Sequence, residues 1–479
     1  MYAFNLRPCL FFLAGLLVFQ SCSPVSESET NTSNTPALTE TSDTPTTGPL
    51  QEIAPPFQNI QLPVHNFEID PAQPHRLEAG NGTTIEIEPN SFVDINGAPV
   101  TEPVRIQYRE FQSAAELLLS GIPMEVVGAN GEKMPMETAG MFELEGTTVA
   151  GGERVFIAEN RDLTVNLASD AEGEYPFWFF DREKGNWKEI GTTTPAPNPV
   201  REAARQTMAA TPKPKAPLKP ALLDKSKPVL DFDVNYDNYP ELRQLKGIMW
   251  QYSGTDARLD PVNNKWIFRE PWDFVKLEPT DKPNEYKMVL THGDKNFIIP
   301  VCPTLKDKDY KAAIEDFNRQ AKAYREYVEN KTAQKDLVKA QMKFIRTVKI
   351  GNFGIHNCDI LYGNKKAVRL MANFDFGPLP VGARNMIPVY LISREGRSVV
   401  KYTSATWGNF IVDPTSKSAL MAVLPNNKVA VFTARDFMNQ REAIQAANND
   451  VYDFKMQLIE SDPSSPEDIQ NIINAGLSI

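Results

Sequence analysis

The sequence predicts a mostly β, α+β protein with two or more β-sandwich-like domains and an inserted long helix or helical hairpin. Three observations support this fold class. Short segments with alternating apolar and polar residues occur in both halves of the chain, Asn-Gly and Gly-Gly pairs separate those of the first half, and one long stretch has a helical apolar stripe. A period of two is typical of half-buried strands, and short strands with regular turns are typical of β-sandwiches.

The first block of strands predicts an N-terminal β-sandwich over residues 58–191. Apolar and polar residues alternate at 84–88 (TIEIE), 104–108 (VRIQY) and 163–167 (LTVNL), and residues 175–180 (YPFWFF) form a dense apolar run. These runs are too short for typical helices and are separated by turn signals, so they predict strands. The apolar run at 175–180 predicts a central strand.

The rest of the chain divides by composition into four further segments. Residues 192–228 are rich in Pro, Ala and Lys, which predicts an extended, semi-rigid linker. Strand-like pieces predict a β domain over 229–305 and a C-terminal β domain over 348–479. The last domain is expected to end in a short helix, because Ser465 is followed by Pro, Glu and Asp in the order of a helix N-cap.

The fourth segment, residues 306–347, contains the helical stripe. Its apolar residues recur at spacings of three and four, and the polar triplet 330–332 (NKT) interrupts them. Two structures therefore remain open, one long helix or a helical hairpin that turns at the triplet. A hairpin would bring residues 302 and 358 close together, whereas one straight helix would hold them apart.

Residues 1–21 predict a lipoprotein signal peptide. Arg7 gives positive charge near the start, and residues 10–19 (LFFLAGLLVF) are an unbroken apolar run. Such a run fits a signal peptide and falls short of the ~20 residues of a membrane-spanning helix. Residues 18–22 (VFQSC) resemble the bacterial lipobox, which implies that Cys22 is the lipidation site. The alternative is a plain secretory signal.

Residues 22–57 predict a disordered tether between the lipid and the folded body. Their first thirty residues are rich in Ser, Thr, Pro and Glu and contain no aromatic residue, so they cannot bury enough apolar surface to fold. No later run reaches 18 apolar residues, and no transmembrane helix is expected. We expect a lipid-anchored protein of the outer membrane, at the periplasmic face or the cell surface. Glu27 and Glu29 resemble surface-export signals and favour the cell surface.

Three segments resemble a family of proteins. Residues 83–126 together with 138–144 (TAGMFEL) resemble an N-terminal domain of uncharacterised multi-domain, β-rich lipoproteins of Gram-negative bacteria, and residues 239–252 and 352–359 resemble the same proteins. More loosely, the first module is similar to the β-sandwich of ankyrins, netrin receptors and zonula-occludens proteins. The resemblance implies an exported β module and no known chemistry. The His-Phe-Ser/Pro sequence at which some eukaryotic relatives cleave themselves is absent.

Charge and cysteine content narrow the function classes. The formal net charge of −11 argues against a nucleic-acid partner, which would require a basic face. Of the four cysteines, Cys9 leaves with the signal peptide and Cys22 is the lipidation site. Cys302 and Cys358 remain as a candidate disulfide in a compartment that permits disulfides.

No sequence pattern identifies a catalytic, metal-binding or cofactor-binding residue. The four histidines have no zinc-site spacing, and the motifs of serine hydrolases and phosphate-binding loops are absent. His356 and Cys358 would share one face of a strand, which fits a metal or Cys-His site, but ordinary strand residues are the favoured interpretation. Trp250, Trp266 and Trp272 fit a sugar-stacking platform, but core tryptophans are favoured.

These observations predict a non-catalytic binding, scaffolding or assembly module, anchored to the membrane by its lipid and acting on envelope proteins or glycans. One alternative is an envelope enzyme that acts on glycan or peptidoglycan. Two acidic side chains about 5–10 Å apart in a cleft would favour it. A second alternative is a carbohydrate-binding surface lipoprotein, which exposed tryptophans in one plane would favour.

Overall fold

The computed structural model describes residues 53–214, 216–232, 237–363, 365–379, 382–460 and 462–478. The predicted signal peptide, the lipidation site at Cys22 and the tether up to residue 52 lie outside the described residues. The described chain is mostly β, with several antiparallel sheets and few helices, so the predicted fold class is confirmed. Strands and helices are numbered below in chain order.

Residues 65–210 contain β1 (His65–Ile69), β2 (His75–Glu78), β3 (Thr84–Ile87), β4 (Phe92–Val93), β5 (Val104–Phe111), α1 (Ala114–Ser120), β6 (Glu125–Val127), β7 (Lys133–Thr148), β8 (Phe156–Ile157), β9 (Leu163–Ser169), β10 (Tyr175–Asp181), β11 (Asn186–Thr193), β12 (Pro195–Pro197) and α2 (Pro199–Ala210). Residues 221–340 contain β13 (Ala221–Leu222), β14 (Met249–Tyr252), β15 (Phe274–Pro279), β16 (Tyr286–His292), β17 (Lys295–Leu305) and α3 (Asp307–Ala340). The remainder contains β18 (Phe344–Ile350), β19 (Gly354–Leu361), β20 (Val368–Asp375), β21 (Val389–Ser393), β22 (Ser398–Tyr402), β23 (Phe410–Val412), β24 (Ala419–Val423), β25 (Val429–Phe432), α4 (Ala434–Asn439), α5 (Arg441–Ala446), β26 (Val451–Lys455), β27 (Gln457–Leu458) and α6 (Pro466–Gly476). Short 3-10 helices occur at Pro240–Gln244, Lys265–Phe268, Ala383–Met386, Arg394–Gly396, Trp407–Asn409 and Pro425–Asn427.

The N-terminal sandwich consists of two sheets and includes strands from far along the chain. Sheet 1 has the order β1-β5-β7-β19-β10-β11, with β6 beside β7, and sheet 2 has the order β12-β18-β9-β3-β2. Strand β19 lies between β7 and β10, where it pairs with both. Without β19 those two strands would leave backbone groups unpaired. Residues 344–361 therefore belong to the sandwich, and the expected domain boundaries at 191 and 348 are corrected.

The C-terminal body stacks on the outer face of sheet 1. Its larger sheet, sheet 4, has the order β22-β21-β24-β25-β27, and its smaller sheet, sheet 5, has the order β23-β20-β26. Alternate residues of sheet 4 face two apolar cores, one shared with sheet 5 and one shared with sheet 1, α1 and α6. Burial on both faces explains the continuous apolar runs at 419–423 (ALMAV) and 429–432 (VAVF). The predicted terminal helix is confirmed as α6, with Ser465 as its N-cap.

The chain between β12 and β18 forms an inserted domain, residues 216–232 and 237–305. Its sheet, sheet 3, has the order β13-β17-β16-β15, with β14 also paired to β17. Since β12 and β18 are neighbours in sheet 2, the chain leaves and re-enters the sandwich at adjacent strands. The inserted domain has its own apolar core, which includes the fully buried Trp250.

A single helix, α3, leads from the inserted domain back to the sandwich. It has 34 residues without a break at the 330–332 triplet, so the structure contains the long helix and not the hairpin. At 1.5 Å per residue its length is about 51 Å. The candidate disulfide is not formed, because Cys302 in sheet 3 and Cys358 in sheet 1 are both free thiols. The unbroken helix between them accounts for their separation.

The segment 192–228 is more structured than the extended linker that its composition predicts. It contains β12, α2 and β13. Helix α2 begins at Pro199, with the side chain of Asn198 accepting hydrogen bonds at its N-terminus, and it packs on α3. Arg201 donates to the carbonyl oxygens of Val338 and Gln341 at the end of α3, at 2.9 and 2.5 Å. These contacts satisfy helix-terminal carbonyls and fix α2 against α3.

The folded body also begins earlier than the expected tether boundary at residue 57. Phe57 is 1% exposed and lies in the core between sheet 1 and sheet 4. Ala54 contacts the turn after α1, where Gly121 has a φ of 69° and a Cβ would come within 2.6 Å of the Ala54 carbonyl oxygen. The residues from 53 onwards therefore belong to the body.

Limited digestion with trypsin is expected to cut first at Lys213, and the two fragments are expected to stay together. Lys213 is exposed and lies outside regular structure, just after α2. The fragment after the cut supplies β18 and β19, which are held within sheets 2 and 1. Electrophoresis in detergent should show two bands, while native size exclusion should show one peak at the uncut position. Two separate native peaks would contradict the insertion.

Candidate functional site

The Cys-His arrangement considered above lies inside the sandwich core. His356 is 1% exposed and packs among Phe142, Phe177 and Phe179, with ring centroids 5.1 to 5.5 Å apart. Burial lowers the pKa of His356 to about 3 and raises the pKa of Cys358 to about 12. At neutral pH the imidazole is therefore uncharged and the thiol is protonated. Neither group is prepared for nucleophilic or metal chemistry.

The three tryptophans considered as a stacking platform occupy different environments. Trp250 is fully buried in the core of the inserted domain, whereas Trp266 is 46% exposed. Trp272 is half-buried and donates from its indole nitrogen to the Ile267 carbonyl oxygen at 2.9 Å. The rings of Trp266 and Trp272 are in contact, at 5.9 Å between centroids, but their planes are 49° apart. The tryptophans do not form one flat surface.

Trp266 instead belongs to a cluster that we call the aromatic tip. Phe297 meets the Trp266 ring edge-on, at 5.1 Å between centroids. Two further aromatic side chains of this region are exposed, Phe268 at 47% and Phe274 at 73%. The aromatic tip consists of Trp266, Phe268, Trp272, Phe274 and Phe297. Exposed apolar side chains scattered singly are normal, but several large ones within one small region indicate a contact surface.

Strand order places the aromatic tip at one end of sheet 3. Strand β15 begins at Phe274, which pairs with Thr291, and the hairpin between β16 and β17 turns after His292. Strand β17 then runs for eleven residues, about 35 Å, to Leu305, and α3 begins at Asp307. The aromatic tip is therefore at the end of the sheet opposite to α3.

Charged and polar side chains border the aromatic tip. His292 donates from Nδ1 to the Pro271 carbonyl oxygen at 2.8 Å. Its ring nitrogens lie 3.7 Å from a Glu270 oxygen and 3.6 Å from an Asp273 oxygen. Asp273 also accepts from the backbone N–H of Gly293 at 2.7 Å. These contacts fix the loop on which Trp272 and Phe274 stand.

A pair of neighbouring carboxylates, as the envelope-enzyme alternative requires, occurs at Glu143 and Glu145 on β7. Both line a cavity of about 150 Å³. Arg109 forms an ion pair with Glu143, and Arg182 lies 3.8 Å from Glu145. Burial raises the pKa of Glu143, while Arg109 lowers it. Small-molecule sites are usually about 300–1,000 Å³, so this space is small for a sugar ring and its neighbours.

Searches of the described residues for other sites gave two further findings. They contain no group of three or more His, Cys, Asp or Glu side chains that could hold a metal ion. No helix in the described ranges is long and apolar enough to cross a membrane. No family model, curated protein or solved structure matches the chain.

Sequence reasoning identified Trp266 and Trp272 but missed the other members of the tip. Phe297 and His292 are far from them in sequence and join them only through the pairing of β16 with β17. A signal for Phe274 was present, because it begins a strand whose buried position is Leu277. Three residues apart on a strand place two side chains on opposite faces, which leaves Phe274 on the exposed face.

Proposed function

We propose that this protein is a membrane-anchored envelope lipoprotein that acts as a non-catalytic binding or assembly module. In this proposal the inserted domain contacts a protein partner through the aromatic tip. The observation that supports it most is the exposure of Trp266, Phe268 and Phe274 at the end of sheet 3 opposite to α3. An exposed aromatic cluster has no role in the stability of its own domain that would explain its retention on the surface.

Composition and ring geometry favour a protein over a glycan as the partner. Tryptophan and other aromatic residues dominate the energetic centres of protein interfaces, which polar and charged residues surround. The tip has this composition, with Glu270, Asp273 and His292 beside the rings. A glycan platform would favour coplanar rings, whereas Trp266 and Trp272 are inclined by 49°. Carbohydrate binding is therefore the second candidate, supported by the exposure of Trp266 alone.

The fold supports a division of roles along the chain. The sandwich and the C-terminal body share a large apolar core, which the residues from 53 onwards also enter. The proposed anchor at Cys22 precedes this body by a Ser-, Thr- and Pro-rich segment. Helix α3, about 51 Å long, joins the body to the inserted domain. This arrangement suits a body held at the membrane and a contact surface carried away from it.

The contact role predicts that removing the tip side chains disrupts a complex. The double replacement Trp266→Ala with Phe268→Ala is expected to convert a larger native species, extracted from membranes in mild detergent, to the size of the free chain. Truncation of central aromatic residues commonly costs 2 kcal/mol or more of binding, roughly a thirtyfold loss. Met386→Ala is the matched control, because Met386 is 82% exposed in the C-terminal body.

Equal complex sizes for the wild type and the double variant would contradict the contact role. A larger species in which the added mass is glycan, and which the double variant loses, would favour the carbohydrate-binding alternative. Folding of the variant is checked by its far-ultraviolet circular dichroism, since both side chains are about half exposed.

Anchoring is expected to depend on Cys22. Its thiol is the only acceptor for the lipid in the proposed lipobox at residues 18–22. Cys22→Ala should therefore leave the protein without lipid and poorly processed, whereas Cys302→Ala should be labelled normally. Growth with radioactive palmitate followed by fractionation measures both. Palmitate label on the Cys22→Ala protein would refute the assignment.

A further inference from the structure

A second cavity lies where the sandwich meets the C-terminal body. It has a volume of about 270 Å³ and is bordered by residues 53–54, α1, the segment 121–125, and strands β10, β21 and β22. We call it the junction cavity. None of the residues of the aromatic tip contributes to it, so the junction cavity is independent of the proposed contact surface.

The inner wall of the junction cavity is apolar. Leu118, Phe180 and Val399 line it and are 1%, 1% and 4% exposed. The rim is polar and carries net positive charge. Lys133 forms an ion pair with Glu125, which leaves Lys401 as the rim charge that pairs with no carboxylate in the described part of the chain.

One buried polar group of the cavity wall has no partner. Tyr390 lines the junction cavity and is 3% exposed, and its hydroxyl makes no hydrogen bond within the described residues. Burial raises the pKa of Tyr390, so the hydroxyl keeps its proton and remains a donor. Buried hydroxyls in native proteins nearly always have a partner, and an unpaired one beside a cavity indicates a ligand that supplies it.

Volume sets the size of that ligand. An engineered apolar cavity of about 150 Å³ binds benzene, so about 270 Å³ suits a molecule of roughly ten to twelve non-hydrogen atoms. The apolar wall requires a hydrocarbon body. The unpaired Lys401 requires an anionic group at the rim, where Thr403 and Thr406 add two hydroxyl groups.

We infer that the junction cavity binds an amphipathic carboxylate, with its hydrocarbon body against Leu118, Phe180 and Val399, its carboxylate at Lys401, and an oxygen at its inner end that accepts from Tyr390. A hydroxylated medium-chain fatty acid has this chemistry. Binding satisfies the Tyr390 hydroxyl, pairs the rim ammonium and removes apolar wall from water.

Titration calorimetry on the purified full chain tests this inference with four probes of one length. These are 8-hydroxyoctanoate, octanoate, octan-1-ol and 8-aminooctan-1-ol. We expect saturable binding in which 8-hydroxyoctanoate is tightest and the amine is weakest. Lys401→Gln should weaken 8-hydroxyoctanoate at least tenfold, whereas Lys417→Gln, a change at an exposed lysine of the same body, should leave its affinity unchanged.

Tyr390→Phe isolates the inner end of the cavity. It removes only a hydroxyl without a partner, so the variant should fold as the wild type does. It should bind octanoate as before and lose the preference for 8-hydroxyoctanoate. Absence of saturable binding of all four probes to the wild type would overturn the inference. Equal binding of the amine and the carboxylate, or equal losses in Lys401→Gln and Lys417→Gln, would overturn it as well.

Discussion

Replacement of Arg346 by methionine is expected to remove most of the stability of the sandwich. Arg346 is 0% exposed, on β18. Its guanidinium donates to the carbonyl oxygens of Ala171, Gly173 and Thr193, at 2.7, 3.1 and 3.4 Å, and lies 4.7 Å from the centre of the Tyr175 ring. Desolvation lowers its pKa, and the ring of carbonyl oxygens keeps the buried charge tolerable.

Methionine fills similar space but donates nothing, so three buried carbonyl groups would lose a donor. Each unsatisfied group costs about 1–3 kcal/mol, and we expect a total loss of about 3–5 kcal/mol. That is a large share of the ~5–15 kcal/mol by which most domains are stable. Urea unfolding followed by tryptophan fluorescence measures the loss. Arg346→Lys retains charge but has no planar fork, and its loss should be intermediate. A loss below about 1 kcal/mol for methionine would contradict the role.

Replacement of Asp359 by asparagine is expected to change how stability depends on pH. Asp359 lies on β19 at 0% exposure, and neither carboxyl oxygen has a hydrogen-bond partner among the described residues. Burial raises the pKa of Asp359 well above its ordinary value, so the folded protein holds this carboxyl protonated. The backbone oxygen of Asp359 accepts from the indole of Trp178 at 2.9 Å, and the substitution leaves that bond in place.

The sign follows from the protons bound in each state. Above the ordinary pKa of aspartate the unfolded chain releases this proton and the folded chain keeps it. The stability from this group is therefore complete at acid pH and is lost as pH rises towards the folded pKa. Each pH unit in that window costs the wild type about 1.4 kcal/mol relative to Asp359→Asn. Urea unfolding at several pH values between 4 and 8 measures the difference.

The exposed Asp294→Asn serves as the control for that series, since its carboxylate should titrate alike in both states. The free-energy difference between Asp359→Asn and the wild type should grow with pH, whereas that of the control should stay flat. A constant difference for Asp359→Asn would show that the buried carboxyl is already ionised in the folded protein.

The sequence predicted individual elements well where local pattern determines them. The run at 175–180 is a central strand, and Ser465 begins the terminal helix, as expected. Local pattern did not reveal which strands pair. Nothing in residues 354–361 indicates that they lie between β7 and β10, because that position depends on backbone pairing over about two hundred residues.

Composition misled at the segment 192–228. Its proline content favoured an extended linker, but Asn198 followed by Pro199 is an N-cap with proline at the first helical position, and an Ala-rich run follows. The helix there is short and depends on α3 for support, since an isolated helix of twelve residues is marginal in water. The aromatic tip was half visible for the same reason: contacts between neighbours in sequence could be foreseen and those made by sheet pairing could not.

Photo-cross-linking from the aromatic tip tests the proposed contact role most directly. A photoreactive phenylalanine analogue at position 268 should, on illumination of intact cells, form one discrete adduct with a protein. The same analogue at position 386, which is also exposed, should form none. The Trp266→Ala background should abolish the adduct at 268. Absence of any adduct at 268, or the same adducts at 268 and 386, would contradict a specific protein contact at the tip of the inserted domain.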